Sequence, residues 1–184
     1  MQDRTELSSY VIARHHRHGY LVLRTKSEKE KCGLPCGVVD AYQAKFVGVN
    51  HATLATAARV LFETTGLDFS EDASRLHRIH FPAAVQSKLG SNHNFVELEL
   101  RDEDSLHLKG NSERLTSPNT GPKNFFLQLS NEYTDFYFEP DRRKAAAAVR
   151  HQSEGKPSKA VWGMQAVYNP DNCCFAAIWR ACFG

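Results

Sequence analysis

The sequence predicts an α+β domain, a sheet that carries one helix early and further helical pieces late. Three observations predict it. Asn94 to Leu100 alternates, with Val96, Leu98 and Leu100 on one strand face and Phe95, Glu97 and Glu99 on the other. Ala52 to Thr65 carries Leu54, Ala58, Leu61 and Thr65 at helical spacing. Asp141 to Val149 holds four consecutive alanines behind an acidic residue, a strong helix former with a favourable start.

The elements follow in order. Ser9 to Ala13 and Tyr20 to Arg24 read as two strands joined by a hairpin loop, His15 to Gly19, in which Gly19 is free to take positive φ. The polar run Thr25 to Lys31 reads as a loop, and Gly37-Val38-Val39 as a short third strand entered through Leu34-Pro35. The helix over Ala52 to Thr65 has Asn50 as its expected N-cap and Gly66 as its stop. Leu76 to Phe81, Lys123 to Leu129 and Asp135 to Phe138 read as further strands. Arg101 to Lys123 is polar and aperiodic, as expected of a long surface insertion, and His151 to Ser158 is a second polar loop. Val161 to Tyr168 and Cys174 to Cys182 are apolar and expected to be buried, as strand or helix, with Trp162, Tyr168 and Trp179 read as core.

The chain has 184 residues and fits one globular domain over 1–184. Lys and Arg number 23 against 21 Asp and Glu, a balance that argues against a dominant nucleic-acid footprint while leaving a local patch open. No run approaches the roughly 18–20 apolar residues of a membrane span, and MQDRTELSSY lacks an apolar signal-peptide core. A soluble, intracellular protein, cytoplasmic by default and without a membrane partner, is the expectation. Five cysteines are an odd number, and free thiols are the simplest reading. Cys32 and Cys36, Cys173 and Cys174, and His77 with His80 could contribute to a zinc site, but two recognisable close pairs of ligands are missing, so ordinary packing is preferred.

The chemistry-bearing segment is Arg59-Val60-Leu61-Phe62-Glu63-Thr64-Thr65-Gly66-Leu67. It resembles the second half of a Nudix box, whose pattern is G-x5-E-x7-R-E-U-x-E-E-x-G-U with U a bulky aliphatic residue. Leu34-Pro35-Cys36-Gly37-Val38-Val39-Asp40 is similar to the L-P-G-G-x-U-E turn that precedes the box, with Cys36 in place of the first glycine. Arg78-Ile79-His80-Phe81-Pro82 and the strand from Asn94 match what usually follows, and Val161 to Ala166 resembles a tryptophan-glycine segment of the coenzyme A diphosphatase branch. The resemblance spans most of the chain. It implies a mixed sheet flanked by helices, an α/β/α sandwich, with hydrolysis of a nucleoside diphosphate linked to another group, assisted by Mg2+ or Mn2+.

The departures fall on the glutamates. Arg59, Leu61, Glu63, Gly66 and Leu67 keep their places, while Val60 and Thr64 stand where the family has carboxylates. Glutamates at i, i+3 and i+4 project from one side of a helix, where they hold a hard divalent ion against a diphosphate. One of the three survives, and Val60 and Thr64 are expected on the same side as Glu63. Counting from Gly37 puts Gln43 at the earlier glutamate, with an eight-residue insertion over 44–51; a gapless count puts His51 there. A second insertion covers 101–122.

Glu63 and Arg59 are therefore the candidate catalytic residues, Glu63 the candidate metal ligand, and Gly37, Asp40, Glu97 and Glu99 the candidate ligand-binding residues. Alternating Glu97 and Glu99 also read as the wet face of a strand, and Arg59 with Glu63 as a helical ion pair worth a few tenths of a kcal/mol. Asp68, Glu71 and Asp72 read as loop-solvating acids, and the histidines at 15, 16 and 18, with Arg14 and Arg17, as a solvated hairpin tip. The functional expectation is a domain that recognises a nucleoside-diphosphate-type ligand with its metal-dependent pyrophosphohydrolase chemistry impaired or lost. The alternatives are an active divergent hydrolase using Glu63 and replacement carboxylates, and a non-catalytic subunit that binds RNA or a protein.

Overall fold

A computed structural model describes residues 7–26, 32–83, 86, 92–110 and 115–150. Its strands are β1 (Ser8–His15), β2 (Gly19–Thr25), β3 (Cys32–Gly33), β4 (Cys36–Val38), β5 (Leu76–Arg78), β6 (His93–Leu100) and β7 (Tyr133–Glu139); its helices are α1 (Ala41–Val47), α2 (Val49–Thr65) and α3 (Arg142–Arg150). One mixed sheet runs β3-β2-β1-β6-β5, with β4 also on β1 and β7 on β2. The β1–β6 pair is parallel, from Ser8 beside His93 to His15 beside Leu100. The other pairs are antiparallel.

Strands β1 and β2 pair only next to their hairpin, at Arg14 with Tyr20 and His15 with Gly19. Beyond it they diverge. Strand β3 takes Leu23 and Arg24 of β2, β4 takes Ser8 to Tyr10 of β1, and the Val11 N–H donates to the Pro35 carbonyl between them. Leu34-Pro35 thus bridges the opening of a splayed hairpin. Gly19 has φ +94°, and an added Cβ would run into the backbone of Glu139 and Pro140.

Strand alternation sorts the core into two layers. Val11, Ala13, Leu21, Leu23, Val96, Leu98, Leu100, Phe136 and Phe138 pack with Ala57, Val60 and Leu61 of α2. Ile12, Val22 and Phe95 point the other way, against Cys32, Leu34 and the α3 residues Ala145 and Val149. Helices therefore cover both faces of the sheet, as the α/β/α expectation required.

Several details differ from the sequence reading. Helix α2 begins at Val49 behind Gly48, with no side-chain cap, so Asn50 is not its N-cap. Its C-terminus ends as expected, Gly66 taking φ +78° with its N–H on the Phe62 carbonyl. The helix buries Ala52, Thr53, Thr56, Ala57, Val60, Leu61, Thr64 and Thr65, while Leu54 and Ala58 are only partly buried. The stripe is rotated because small alanines and threonines, which weigh little as hydrophobes, let the helix approach the sheet closely. Residues 41–47 form α1, capped by Asp40, whose carboxylate accepts the Tyr42 and Gln43 N–H groups. Lys123 to Leu129 is not a strand, although Phe125 and Leu127 are buried; Leu127 makes a single bridge to Thr116. Strand β5 is shorter than expected, and His15 is buried at the end of β1 rather than solvated in the loop. The 151–184 segment, including the apolar stretches and Trp162, Tyr168 and Trp179, lies outside the described residues. No described helix is long and apolar enough to cross a membrane.

Candidate functional site

Arg59 sits mid-way along α2 with half of its side chain exposed, and Glu63 lies one turn further on. The Arg59 Nη1 donates to both Glu63 carboxylate oxygens at 3.1 and 3.0 Å, and its Nη2 donates to the Val38 carbonyl at 3.4 Å. The guanidinium thus ties α2 to β4 while occupying the one box carboxylate that survives.

Val60 and Thr64 do not share the exposed side of Glu63; both are buried. The cause is the close approach of β4. A Cβ placed on Gly37 would overlap Val60 Cγ1, and the next atom it would meet is Arg59 Nη2 at 3.7 Å. Gly37 is therefore where strand backbone passes directly over the helix, a role in packing. On the far side Thr65 Oγ1 donates to the Leu61 carbonyl at 2.7 Å, and the Thr64 and Thr65 carbonyls accept N–H groups from Ser130 and Gln128.

Two open grooves meet at Arg59. One, of ≈ 450 Å³, is lined by His51, Leu54, Ala58, Phe62, Asp68 and Ser70. The other, of ≈ 570 Å³, is lined by Asp40, Tyr42, Gln43, Phe46, Val47 and Thr56. Tyr42 and Phe46 stand 72% and 65% exposed, their rings 4.4 Å apart. Phe46 lies in the segment read as an insertion and Tyr42 just before it, where no periodic apolar stripe announces them.

The structure brings Arg59, Glu63, Gly37 and Asp40 to one region, but Asp40 is engaged as the α1 cap. Glu97 and Glu99 share the parity of Phe95 on β6 and so lie on the α3 side of the sheet, away from α2. They line a separate cavity of ≈ 390 Å³ with Arg14, His16, Arg75, His77 and Arg101. Asp68, read from the sequence as a loop-solvating acid, is the acid that shares a groove with Arg59 and His51. It accepts the Ser70 N–H at 2.9 Å, and the bonds from Ser70 hold its carboxyl below the usual range.

Comparison with solved structures returns weak but consistent likenesses. A C. elegans Ap4A hydrolase aligns at 11% identity over 89% of this chain and 96% of its own, with a TM-score of 0.42. The E. coli dihydroneopterin triphosphate pyrophosphohydrolase aligns at 11% identity over 88% and 94%, with a TM-score of 0.46. A Listeria monocytogenes protein assigned to the Nudix hydrolases aligns at 12% identity over 90% and 96%, with a TM-score of 0.47. The chain is similar to Nudix hydrolases. No protein-family profile and no curated protein sequence matches it. At such low identity the likeness brings no activity with it, and the α/β/α assignment rests on the strand order and packing of the chain itself.

Proposed function

We propose that this Nudix-like domain binds a nucleoside-diphosphate-type ligand at the Arg59 grooves without metal-dependent hydrolysis of it. The observation that carries this reading is the state of α2: Glu63 is the sole box carboxylate, and Arg59 already holds both of its oxygens. The residues present do not fit Mg2+ or Mn2+. A hard divalent ion needs about six oxygen ligands in a near-fixed geometry, with at least one or two carboxylates among them. Val60 offers no donor, Thr64 is buried, Asp40 is committed to its cap, Asp68 across the groove is held by the Ser70 N–H and would leave Glu63 as its sole carboxylate companion, and Glu97 and Glu99 face the other side of the sheet.

Binding has better support. An exposed Arg59–Glu63 pair is worth only a few tenths of a kcal/mol, so a ligand phosphate exchanges with Glu63 at little cost and gains a forked guanidinium. Tyr42 and Phe46 offer π-faces on which a base can stack, a contact worth about 1–3 kcal/mol. The same pairing of exposed aromatics with a cation supports a second reading, a single-stranded RNA ligand.

The test is calorimetric titration of ADP with and without Mg2+, alongside phosphate release from dinucleoside polyphosphates and nucleotide sugars. Binding without release is expected, weakened at least about tenfold in Arg59→Ala and retained or strengthened in Glu63→Gln, which frees the guanidinium. Metal-dependent release that disappears in Glu63→Gln would overturn the reading in favour of an active hydrolase. Tighter binding of an oligoribonucleotide than of ADP would favour RNA.

A further inference from the structure

A second cluster lies at the opposite end of β1 from the box turn. His15 closes β1, His18 precedes Gly19 in the hairpin, and Asp102 opens a 3-10 segment, Asp102–Gly110, two residues after Leu100. The parallel register that sets His15 beside Leu100 delivers Asp102 to the hairpin. One ligand atom from each of the three residues lies within 4.8 Å of the other two.

We propose that His15, His18 and Asp102 form a binding site for a borderline divalent transition metal of the Zn2+ class. His15 is wholly buried, yet its Nε2 satisfies no hydrogen bond, although Asp102 Oδ1 is 3.2 Å away. An unsatisfied buried ring nitrogen costs roughly what a lost hydrogen bond does, so such an atom calls for a reason. A metal supplies one. The ring is held in place by edge contacts with Phe125 and Phe138 at 5.7 and 5.4 Å and by stacking on His16 at 4.6 Å. That packing aims Nε2 at Asp102 without exposing it. His18 is half-buried and Asp102 exposed, so both are free to close the remaining distance.

The donor set chooses the ion. Two imidazoles and one carboxylate suit Zn2+, Co2+ or Ni2+ and disfavour Mg2+, and three protein ligands leave a fourth tetrahedral position for water. One local contact must change. The Arg17 N–H lies 3.3 Å from His15 Nδ1, which then acts as an acceptor. A metal on Nε2 places the ring proton on Nδ1, so that long bond is given up and the 16–18 tip shifts. The metal would pin the hairpin tip to the turn after β6.

The test uses tag-free full-length protein titrated with Zn2+ by calorimetry and with Co2+ by absorption. One ion per chain is expected, with visible d–d bands, no sulfur-to-cobalt charge transfer, and a displaced Arg17 amide resonance. His18→Ala and Asp102→Asn, both at accessible positions, should each weaken binding by about tenfold or more while leaving the metal-free melting temperature unchanged. His15→Ala need not fold, and the two accessible variants keep the outcome decisive without it. Absence of stoichiometric binding would overturn the site. So would binding that survives in both variants, or that shows thiolate charge transfer and is lost in Cys32→Ala/Cys36→Ala.

Discussion

Val60 fills the space directly under Gly37: any side chain at 37 would have to share the volume that a Val60 methyl already occupies. The helix position that carries a glutamate in the Nudix pattern is here a packing partner of the strand above it. Gly37→Ala should therefore cost about 1–3 kcal/mol through overpacking, and Val60→Ala about 2 kcal/mol through the cavity it leaves. The double variant should be more stable than the sum of the two losses predicts, because the alanine at 37 enters the space vacated at 60. Additive losses in urea unfolding would show that the two residues do not share that space.

Restoring the box is not a route to activity. Val60→Glu places a carboxylate among Leu61, Ala57 and the sheet, where an unpaired charge costs several kcal/mol. Thr64 is at the rim of the same layer, so Thr64→Glu should be milder. Val60→Glu is expected to lower the urea midpoint strongly or to prevent folding. A Val60→Glu protein as stable as wild type would mean that α2 presents this position to solvent.

The 3-10 segment after β6 is anchored by Asp104, which is nearly buried. Arg75 donates to its two oxygens at 2.7 and 2.8 Å, and the Arg101 N–H adds a third bond at 2.8 Å. Arg75 also lies over the Phe69 ring at 4.9 Å, and the Asp104 bond raises its pKa above the ordinary value. Asp104→Ala removes two charge-assisted bonds from a partly buried guanidinium that keeps Asp72 at 3.8 Å and the Glu99 carbonyl, and should cost about 2 kcal/mol. Arg59→Ala, which removes an exposed pair, should cost under about 1 kcal/mol in the same denaturation assay.

Asp141 caps α3 through the Arg143 and Lys144 N–H groups at 2.7 and 3.1 Å, bonds that depress its pKa. Because the folded value lies below the unfolded one, the cap's contribution is complete above about pH 4 and is lost as the pH falls through the depressed value. Protection of the α3 amides, taken relative to their intrinsic exchange rates, should fall in that acid window. Asp141→Asn should remove the pH dependence of that protection while keeping the amides protected near neutrality.

The parts of the fold that were legible in the sequence are those where one physical signal acts alone. Alternation in β6 fixed its faces, and with them the separation of Glu97 and Glu99 from α2, which the parity of Phe95 already implied. Gly66 announced the end of α2 because only a residue without Cβ takes φ +78° easily. Helix α1 was not legible: none of its residues is buried, so no stripe marks it. The buried face of α2 is rotated from the expected stripe because threonines and alanines meet the sheet beside Leu61, while Leu54 and Ala58 are only partly buried. Phe125 and Leu127 mimic a strand because loop residues can be buried without pairing. The His15, His18 and Asp102 cluster could not be seen at all, since Asp102 reaches the hairpin only through the pairing of β1 with β6.

That pairing also dictates when the protein can fold. Among the described residues, the central strand of the sheet finds its full-length neighbour in His93–Leu100, and the loop closed in doing so spans nearly half the chain. During synthesis the first hairpin and α2 emerge with their apolar faces open and no partner strand to cover them. The nascent chain therefore passes through a long interval in which Val11, Ala13 and Leu61 are available to other molecules, and chaperone dependence should ease once β6 has cleared the ribosome and end only after β7 and α3, which complete the two core layers, have followed.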